Sequence, residues 1–125
     1  RVAPHDTLIA AGLADLRASN DSFFEELERT AATPGPAWES HTAWYEQTRA
    51  GIDALRERAA SYGMKDDPTI KALDLLDESV DQLEGAHAAG LSAGEIPVLR
   101  TLFDAQLHML IELEAAKDGS TEVSP

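Results

Sequence analysis

The stretch DPTIKALDLLDESVDQLEGAHAAG, residues 67–90, contains a whole helix together with both of its boundaries. Asp67 followed by Pro68 is typical of a helix start, because the carboxylate caps free amides and proline is tolerated at the first helical position. Gly90 is typical of a helix end, since glycine readily adopts the left-handed conformation. The inward positions recur every three or four residues and are Leu73, Leu76, Val80, Leu83 and His87.

Three further segments show the same periodicity, and no segment alternates in the way a strand does. The predicted helices cover about residues 6–29, 38–61, 68–89 and 95–117, with a flexible tail over 118–125. Short connections favour antiparallel neighbours. The sequence therefore predicts one all-α domain over residues 1–125, an up-down-up-down antiparallel four-helix bundle.

An alternative remains within the first helix. Its inward positions are Ile9, Leu13, Leu16, Asn20, Phe23 and Leu27. The run Ser19–Ser22 consists of poor helix formers, and Ser22 with Glu25 forms a capping box, so the helix could break there and leave a three-helix core.

In the fourth helix the predicted inward positions are Ile96, Leu99, Phe103, Gln106, Leu110 and Leu113. Asn20 and Gln106 are expected to fix the helix register.

The composition restricts the partners. The chain has 23 acidic and 10 basic residues, a formal charge of −13, and no cysteine. Nucleic acids and anionic membranes are disfavoured because both attract basic proteins, and no apolar run is long enough for membrane insertion. A basic protein partner, a metal cation or a salty milieu fits better. The predicted partner is another protein, either a basic one or a second copy in a homodimer. The start at Arg1 slightly favours an exported, periplasmic protein over a cytoplasmic one.

Helix 68–89 carries a line of carboxylates at spacings of three and four residues. This acidic face consists of Asp74, Asp77, Glu78, Asp81 and Glu84, and no lysine or arginine lies within residues 73–87. Three interpretations are open: a solvated face that keeps the protein soluble, a docking surface for a basic partner, and adaptation to high salt.

Large rings are predicted to collect at one end of the bundle. With antiparallel helices rising about 1.5 Å per residue, the rings late in helix one lie level with those early in helix two. The candidate binding patch consists of Phe23, Phe24, Trp38, His41, Trp44, Tyr45 and His87. These rings could equally be plain core. The exposure of Trp44 distinguishes a binding patch from plain core. Trp44 flanks the inward positions His41 and Tyr45, and an exposed indole there would favour a patch.

The histidines raise the question of a metal. Glu84 and His87 match one half of the Glu-x-x-His pattern of di-iron bundles, but helix four does not supply the second half, so no dinuclear site is predicted. A mononuclear site using His41, His87 and a carboxylate is geometrically possible. The other interpretation is that each histidine only makes hydrogen bonds.

No phosphate-binding loop, nucleophile elbow or paired metal motif occurs in the sequence. We therefore expect no enzyme and no cofactor. The predicted function is a non-catalytic, acidic helical-bundle binding module for protein–protein interaction. The alternative is a small-molecule or metal-binding bundle whose site lies among the aromatic and histidine side chains.

Overall fold

A computed structural model describes residues 3–31, 37–63 and 67–123. It contains four α-helices: α1 (Thr7–Thr30), α2 (Thr42–Ala60), α3 (Pro68–Ala89) and α4 (Glu95–Val123). A 3₁₀ turn, Trp38–Ser40, precedes α2. Within these ranges there is no β-strand, which confirms the all-α prediction.

The helices form a ring in chain order. Packing contacts join α1 to α2, α2 to α3, α3 to α4, and α4 back to α1. In the described part of the chain the backbones of the diagonal pairs do not approach each other, and diagonal helices meet only through long side chains such as the Phe23 and His87 rings, whose centroids are 6.2 Å apart. This arrangement is the predicted four-helix bundle, in which short connections place consecutive helices side by side. No helix of the described residues is both long and apolar enough to span a membrane.

The predicted helix boundaries have the expected physical causes. Asp6 Oδ1 accepts hydrogen bonds from the amides of Leu8, at 2.8 Å, and Ile9, at 3.1 Å, and so caps α1. Asp67 caps α3 by accepting from the Thr69 amide at 2.8 Å. At the other end of α3, Gly90 has a φ of +108°, a conformation that costs glycine little.

The first helix is not broken at Ser19–Ser22, so the alternative with a three-helix core is wrong. α1 runs continuously from Thr7 to Thr30. Within this polar run, Ser19 receives a hydrogen bond from the Trp44 indole at 3.1 Å, whereas Asn20 is buried in the bundle and its Nδ2 has no hydrogen-bond partner among the described residues. Tertiary packing thus overrides the weak intrinsic propensity of these residues.

Two helix ends differ from the predicted boundaries. α2 begins at Thr42 and not near residue 38, because the Ala37 carbonyl accepts from the His41 ring, at 2.7 Å, and from the Ser40 amide, which closes a 3₁₀ turn. α4 extends to Val123 and does not end near residue 117. Lys117 is buried and held by two carboxylates, which anchors the helix where the flexible tail was expected to start.

The core is formed by the inward positions of all four helices, and the predictions for α1 and α3 agree with it closely. α4 differs, because its buried face is rotated from the predicted one. Leu107 is buried, whereas Leu99, Gln106 and Leu113 lie half-buried at the edge. The buried face of α4 also includes Glu114 and Lys117 near its end, which a hydrophobic pattern cannot indicate.

Candidate functional site

The predicted patch residues come together at one end of the bundle. We call this end the aromatic pole; its members are Phe23, Phe24, Trp38, His41, Trp44, Tyr45, His87 and Phe103. Phe23 lies at its centre and stacks face to face on Trp44, with ring centroids 3.7 Å apart and planes at 7°. Phe24 contacts Phe23 edge-on, at 5.5 Å, and Phe103 of α4 at the same distance. Since Phe23 and Phe24 are buried, most of the phenylalanine surface here is core.

His41 links the 3₁₀ turn to α1. Its Nδ1 lies 2.7 Å from the Ala37 carbonyl oxygen and its Nε2 lies 2.7 Å from Oε2 of Glu26. Each ring nitrogen of His41 therefore faces an oxygen acceptor. The His41 ring thereby connects the 3₁₀ turn to the Glu26 carboxylate at the rim of the aromatic pole.

Tyr45 and His87 form a buried polar pair beneath the rings. The Tyr45 hydroxyl lies 2.8 Å from Nδ1 of His87. Burial, aided by the negative charge of Glu84 and opposed by Arg49, raises the pKa of Tyr45, so its hydroxyl stays protonated at neutral pH. The pair satisfies two polar groups that would otherwise be costly to bury.

Trp38 is held by its indole nitrogen, which donates to Oε2 of Glu84 at 2.9 Å. This hydrogen bond is the largest influence that lowers the pKa of Glu84; burial raises it, and the Arg49 guanidinium lowers it further. Glu84 therefore remains ionised and positions Trp38 against the core cluster.

Trp44 forms part of the wall of an open groove on the outer side of α1 and α2. One indole face is covered by Phe23, and Trp44 itself remains partly exposed. The groove has a volume of about 550 Å³. Its lining is mixed, with the indole beside serines, two carboxylates and one guanidinium: Ser19, Ser22, Phe23, Glu25, Glu26, Arg29, Ser40, His41 and Trp44.

A second depression continues from this groove along the line where α1 meets α2. Both are lined by Ser19, and the second has a volume of about 290 Å³ and a mainly apolar wall. Gly12 belongs to this wall, and a Cβ at that position would meet a methyl group of Leu55 at 2.6 Å, so a larger residue would force the Leu55 side chain to shift. Together the two depressions form a continuous recess on the α1–α2 side of the bundle.

The histidine arrangement does not converge on a metal. The ring centroids of His41 and His87 are 5.2 Å apart, in agreement with the prediction that both residues lie at the same end of the bundle. However, both nitrogens of His41 already have acceptor partners, and Nδ1 of His87 faces Tyr45. Among the described residues, no three His, Asp or Glu side chains are placed to share one ion.

The acidic face lies at the junction of α3 with α2 and is largely paired. Arg49 Nη2 donates to Asp81 at 2.7 Å and to Glu84 at 2.6 Å. Arg56 bonds Asp74 at 2.7 Å and approaches Asp77 at 3.6 Å. The bases missing from residues 73–87 are therefore supplied by the neighbouring helix, and the carboxylates do not form a free line on an outer surface.

The carboxylates of α1, which lies diagonally across the bundle from α3, are also paired with an arginine of a neighbouring helix. Arg100 of α4 donates to Glu28 at 2.7 Å and lies 3.8 Å from both Asp21 and Glu25. The carboxylates of α1 and of α3 are thus each paired with an arginine from a neighbouring helix. Partly exposed pairs of this kind contribute only about 0.2–1 kcal/mol each, so their main effect is to set which helices lie side by side.

Sequence reasoning missed a second polar cluster at the opposite end, which we call the ionic pole. Its members are His5, Asp6, Arg58, Tyr62, Asp67, Thr69, Glu114 and Lys117. Lys117 Nζ lies 3.1 Å from Asp67 and 3.4 Å from Glu114, and all three side chains are almost fully buried. These contacts are ion pairs and not well-aligned hydrogen bonds, because neither facing carboxylate oxygen has a hydrogen bond of good geometry.

The rest of the ionic pole joins the start of the chain to the ends of α2 and α4. The Asp6 amide donates to Glu114 Oε2 at 2.7 Å. Asp6 Oδ2 accepts from Arg58 Nε at 2.7 Å and from the Tyr62 hydroxyl. His5 Nδ1 lies 3.1 Å from the Glu114 carbonyl oxygen. One network therefore connects α1, α2, α3 and α4 at this end.

One signal could have indicated the ionic pole. The predicted helix starts Asp6 and Asp67 lie at the same end of an antiparallel bundle as the C-terminal part of α4. A Glu114–Lys117 pair at i, i+3 would therefore face both aspartates.

Comparisons with protein-family models, curated proteins and solved structures return no match to this chain.

Proposed function

We propose that the protein is a non-catalytic binding module that receives a basic side chain of a partner protein in the groove beside Trp44. The observation that carries the proposal is the environment of Trp44: a partly exposed indole, backed by Phe23, in a groove that also contains Glu25 and Glu26. An ammonium or guanidinium group placed over an indole face gains cation–π attraction, and nearby carboxylates add to it.

The charges of the molecule support a basic partner. With a formal charge of −13, the chain attracts cationic segments over a distance set by salt screening. The acidic face of α3 is less suited to docking, because Arg49 and Arg56 already occupy most of its carboxylates. In the groove, Arg29 and His41 also approach Glu26, so the partner's cation would compete mainly with these two groups.

The experiment measures binding of a fluorescently labelled amphipathic peptide of leucine and arginine by anisotropy. We expect Glu25→Gln with Glu26→Gln to weaken binding about tenfold, and Trp44→Leu to weaken it by a similar factor. Because both carboxylates are largely exposed, each contact is worth up to about 1 kcal/mol, so that losing both together gives roughly a tenfold change. A peptide with glutamate in place of arginine should not bind.

The matched control is Glu57→Gln with Glu78→Gln, which removes the same charge from exposed positions outside the groove. Equal weakening by both pairs of substitutions would mean diffuse attraction and would contradict the proposal. Thermal melts with Zn, Ni or Cu test the small-molecule or metal alternative, because a bound ion raises the melting temperature of the folded state.

A further inference from the structure

The apolar depression between α1 and α2, which continues the groove beside Trp44, has no role in the function proposed above. Its volume is about 290 Å³, and its apolar wall consists of Gly12, Leu16, Gly51, Ala54 and Leu55. Small-molecule sites usually enclose about 300–1,000 Å³. An open depression slightly below this range suits a single large side chain of a partner better than a whole ligand.

A glycine of α2 keeps this depression open. Gly51 lies in the interior of α2, where glycine destabilises a helix relative to alanine. A Cβ added there would only reach ordinary van der Waals contact with Leu16, at 3.4 Å, so the packing of α1 on α2 does not require glycine. The absence of a side chain at this position leaves space for a side chain that enters from outside.

The apolar depression and the groove follow each other at a fixed spacing. Ser19 lines both of them, and the Trp44 indole donates to its hydroxyl at 3.1 Å. On α2, Gly51 in the depression and Trp44 in the groove are seven residues apart. On α1, Gly12 and Ser19 have the same separation. Seven residues of helix rise about 10 Å and complete about two turns, so a helix lying along this line presents residues seven apart to the two depressions.

The wall of the apolar depression favours a helical partner segment. The wall is formed by α1 and α2, whose amides and carbonyls are bonded within each helix. An extended peptide would therefore bury its own backbone groups there without hydrogen bonds, which is costly, whereas a helix satisfies them internally. Amphipathic helices dock in grooves of this kind by their apolar face.

The charges around the two depressions favour a basic segment. Asp15 lines the apolar depression and makes no ion pair with any described residue, and Glu25 and Glu26 line the groove. Two copies of this chain, each with a formal charge of −13, would instead repel each other. The occupant that matches both the apolar wall and the carboxylates is a basic amphipathic helix of another protein.

We propose that the partner segment is such a helix, and that it places a side chain of leucine size in the apolar depression and, seven residues away, its lysine or arginine in the groove. The proposal rests on the proposed function, because the cation site is one of its two anchor points. The second anchor point adds apolar burial to the charge attraction and fixes the register of the helix on the protein.

Fluorescence anisotropy with two labelled helical peptides of identical composition tests the spacing. In the first peptide a leucine lies seven residues from an arginine, and in the second it lies nine residues away, on the opposite side of the helix. Both sequence orders are compared, one for each direction of the helix along α1 and α2. We expect the first peptide to bind about tenfold more tightly in one of the two orders, a factor that the burial of one leucine side chain supplies.

The variant Gly51→Leu tests the apolar depression itself, because the new side chain occupies the space of the partner's leucine. It should weaken binding of the first peptide about tenfold and leave the second unchanged. Gly85→Leu is the matched control, at a helical glycine of α3 with open space around it, and should change neither. Gly51→Ala, which adds only the tolerated Cβ, should weaken the first peptide by a smaller factor and covers the case in which leucine destabilises the fold.

The outcomes separate this proposal from the function of the groove. Equal affinities of the two peptides in both orders, or unchanged binding of the first peptide to folded Gly51 variants, would overturn the second anchor point. If Glu25→Gln with Glu26→Gln still weakens both peptides in that case, the cation site stands alone. If that double substitution leaves the affinity of both peptides unchanged, the cation site fails and the two-anchor arrangement fails with it.

Discussion

The two ends of this bundle are closed by different chemistry. At the aromatic pole, rings from all four helices fill the interior, and their few polar atoms find partners such as the Tyr45–His87 pair. At the ionic pole, Asp6, Asp67, Glu114 and Lys117 are buried together. The same four helices thus end in an apolar cluster at one end and in a network of charges at the other.

Because of this difference, we expect the contributions of the two ends to the free energy of unfolding to depend differently on pH. Burial of apolar rings stabilises a fold in a way that barely depends on pH, because no proton is gained or lost. Buried ion pairs gain little net stability over apolar replacements, but they are very sensitive to removal of one partner. We therefore expect the buried phenylalanine rings of the aromatic pole to contribute a stability that does not change with pH, and the charges of the ionic pole to contribute one that does.

The largest effect is expected at the aromatic pole, from Phe24→Ala. Phe24 is fully buried and contacts both Phe23 and Phe103. Its truncation leaves a cavity, which should lower the free energy of unfolding by about 4 kcal/mol. Chemical denaturation measures the loss, and it should be the same at pH 7 and pH 4.5.

The variant Phe24→Leu serves as the graded control, because it keeps most of the apolar volume and should cost less than about 1.5 kcal/mol. A loss from Phe24→Ala that changes strongly between the two pH values would show that the aromatic pole is coupled to titrating groups. The comparison between the two ends would then fail.

The next effect is expected at the ionic pole, from Lys117→Met. Methionine fills a similar volume but leaves the carboxylates of Asp67 and Glu114 buried without the ammonium group that lies between them. Breaking a buried pair in this way should cost about 3 kcal/mol at pH 7.

Lys71→Met is the matched control, since Lys71 is an exposed lysine on α3 and its replacement should change stability by less than about 0.5 kcal/mol. If Lys117→Met proves neutral, the buried charges do not carry the role assigned to the ionic pole.

The aromatic pole could be predicted from the sequence because its residues belong to regular patterns. Phe23, Tyr45 and His87 occupy inward positions of amphipathic helices, and a rise of about 1.5 Å per residue places them at one level. The partial exposure of Trp44 could not be predicted in the same way. It depends on where the 3₁₀ turn ends, and that turn is set by the contact of the His41 ring with the Ala37 carbonyl.

The ionic pole could not be predicted from periodicity, because hydrophobic patterns assign charged residues to the surface. The sequence predicts Asp67 as a helix cap and residue 6 only as the approximate start of the first helix. Capping accounts for one oxygen of each carboxylate. Their second oxygens face Arg58 and Lys117, which are distant in sequence. The carboxylates of α3 were seen as an acidic face for a similar reason, since their arginine partners lie on another helix.

The smallest effect is expected from Asp6→Asn. Asparagine still caps α1, so the substitution removes mainly the charge that Arg58 and Tyr62 face. Loss of these charge-assisted hydrogen bonds should cost about 1–2 kcal/mol at pH 7. Asp15→Asn, at an exposed aspartate of the same helix, is the control and should have little effect.

The pH dependence of this effect follows from the pKa of Asp6. Burial is the largest influence and acts to raise the pKa, but hydrogen bonds from Tyr62, Arg58 and two backbone amides outweigh it and lower the pKa below its ordinary value of 3.8. A carboxyl whose pKa is depressed by folding stabilises the fold above the unfolded pKa and loses that contribution as the pH falls through the folded pKa. The stability difference between the natural protein and Asp6→Asn should thus be constant from pH 7 to about pH 5 and shrink below about pH 4. A difference that grows in acid would mean that burial dominates at Asp6, and the ionic pole would then oppose folding at neutral pH.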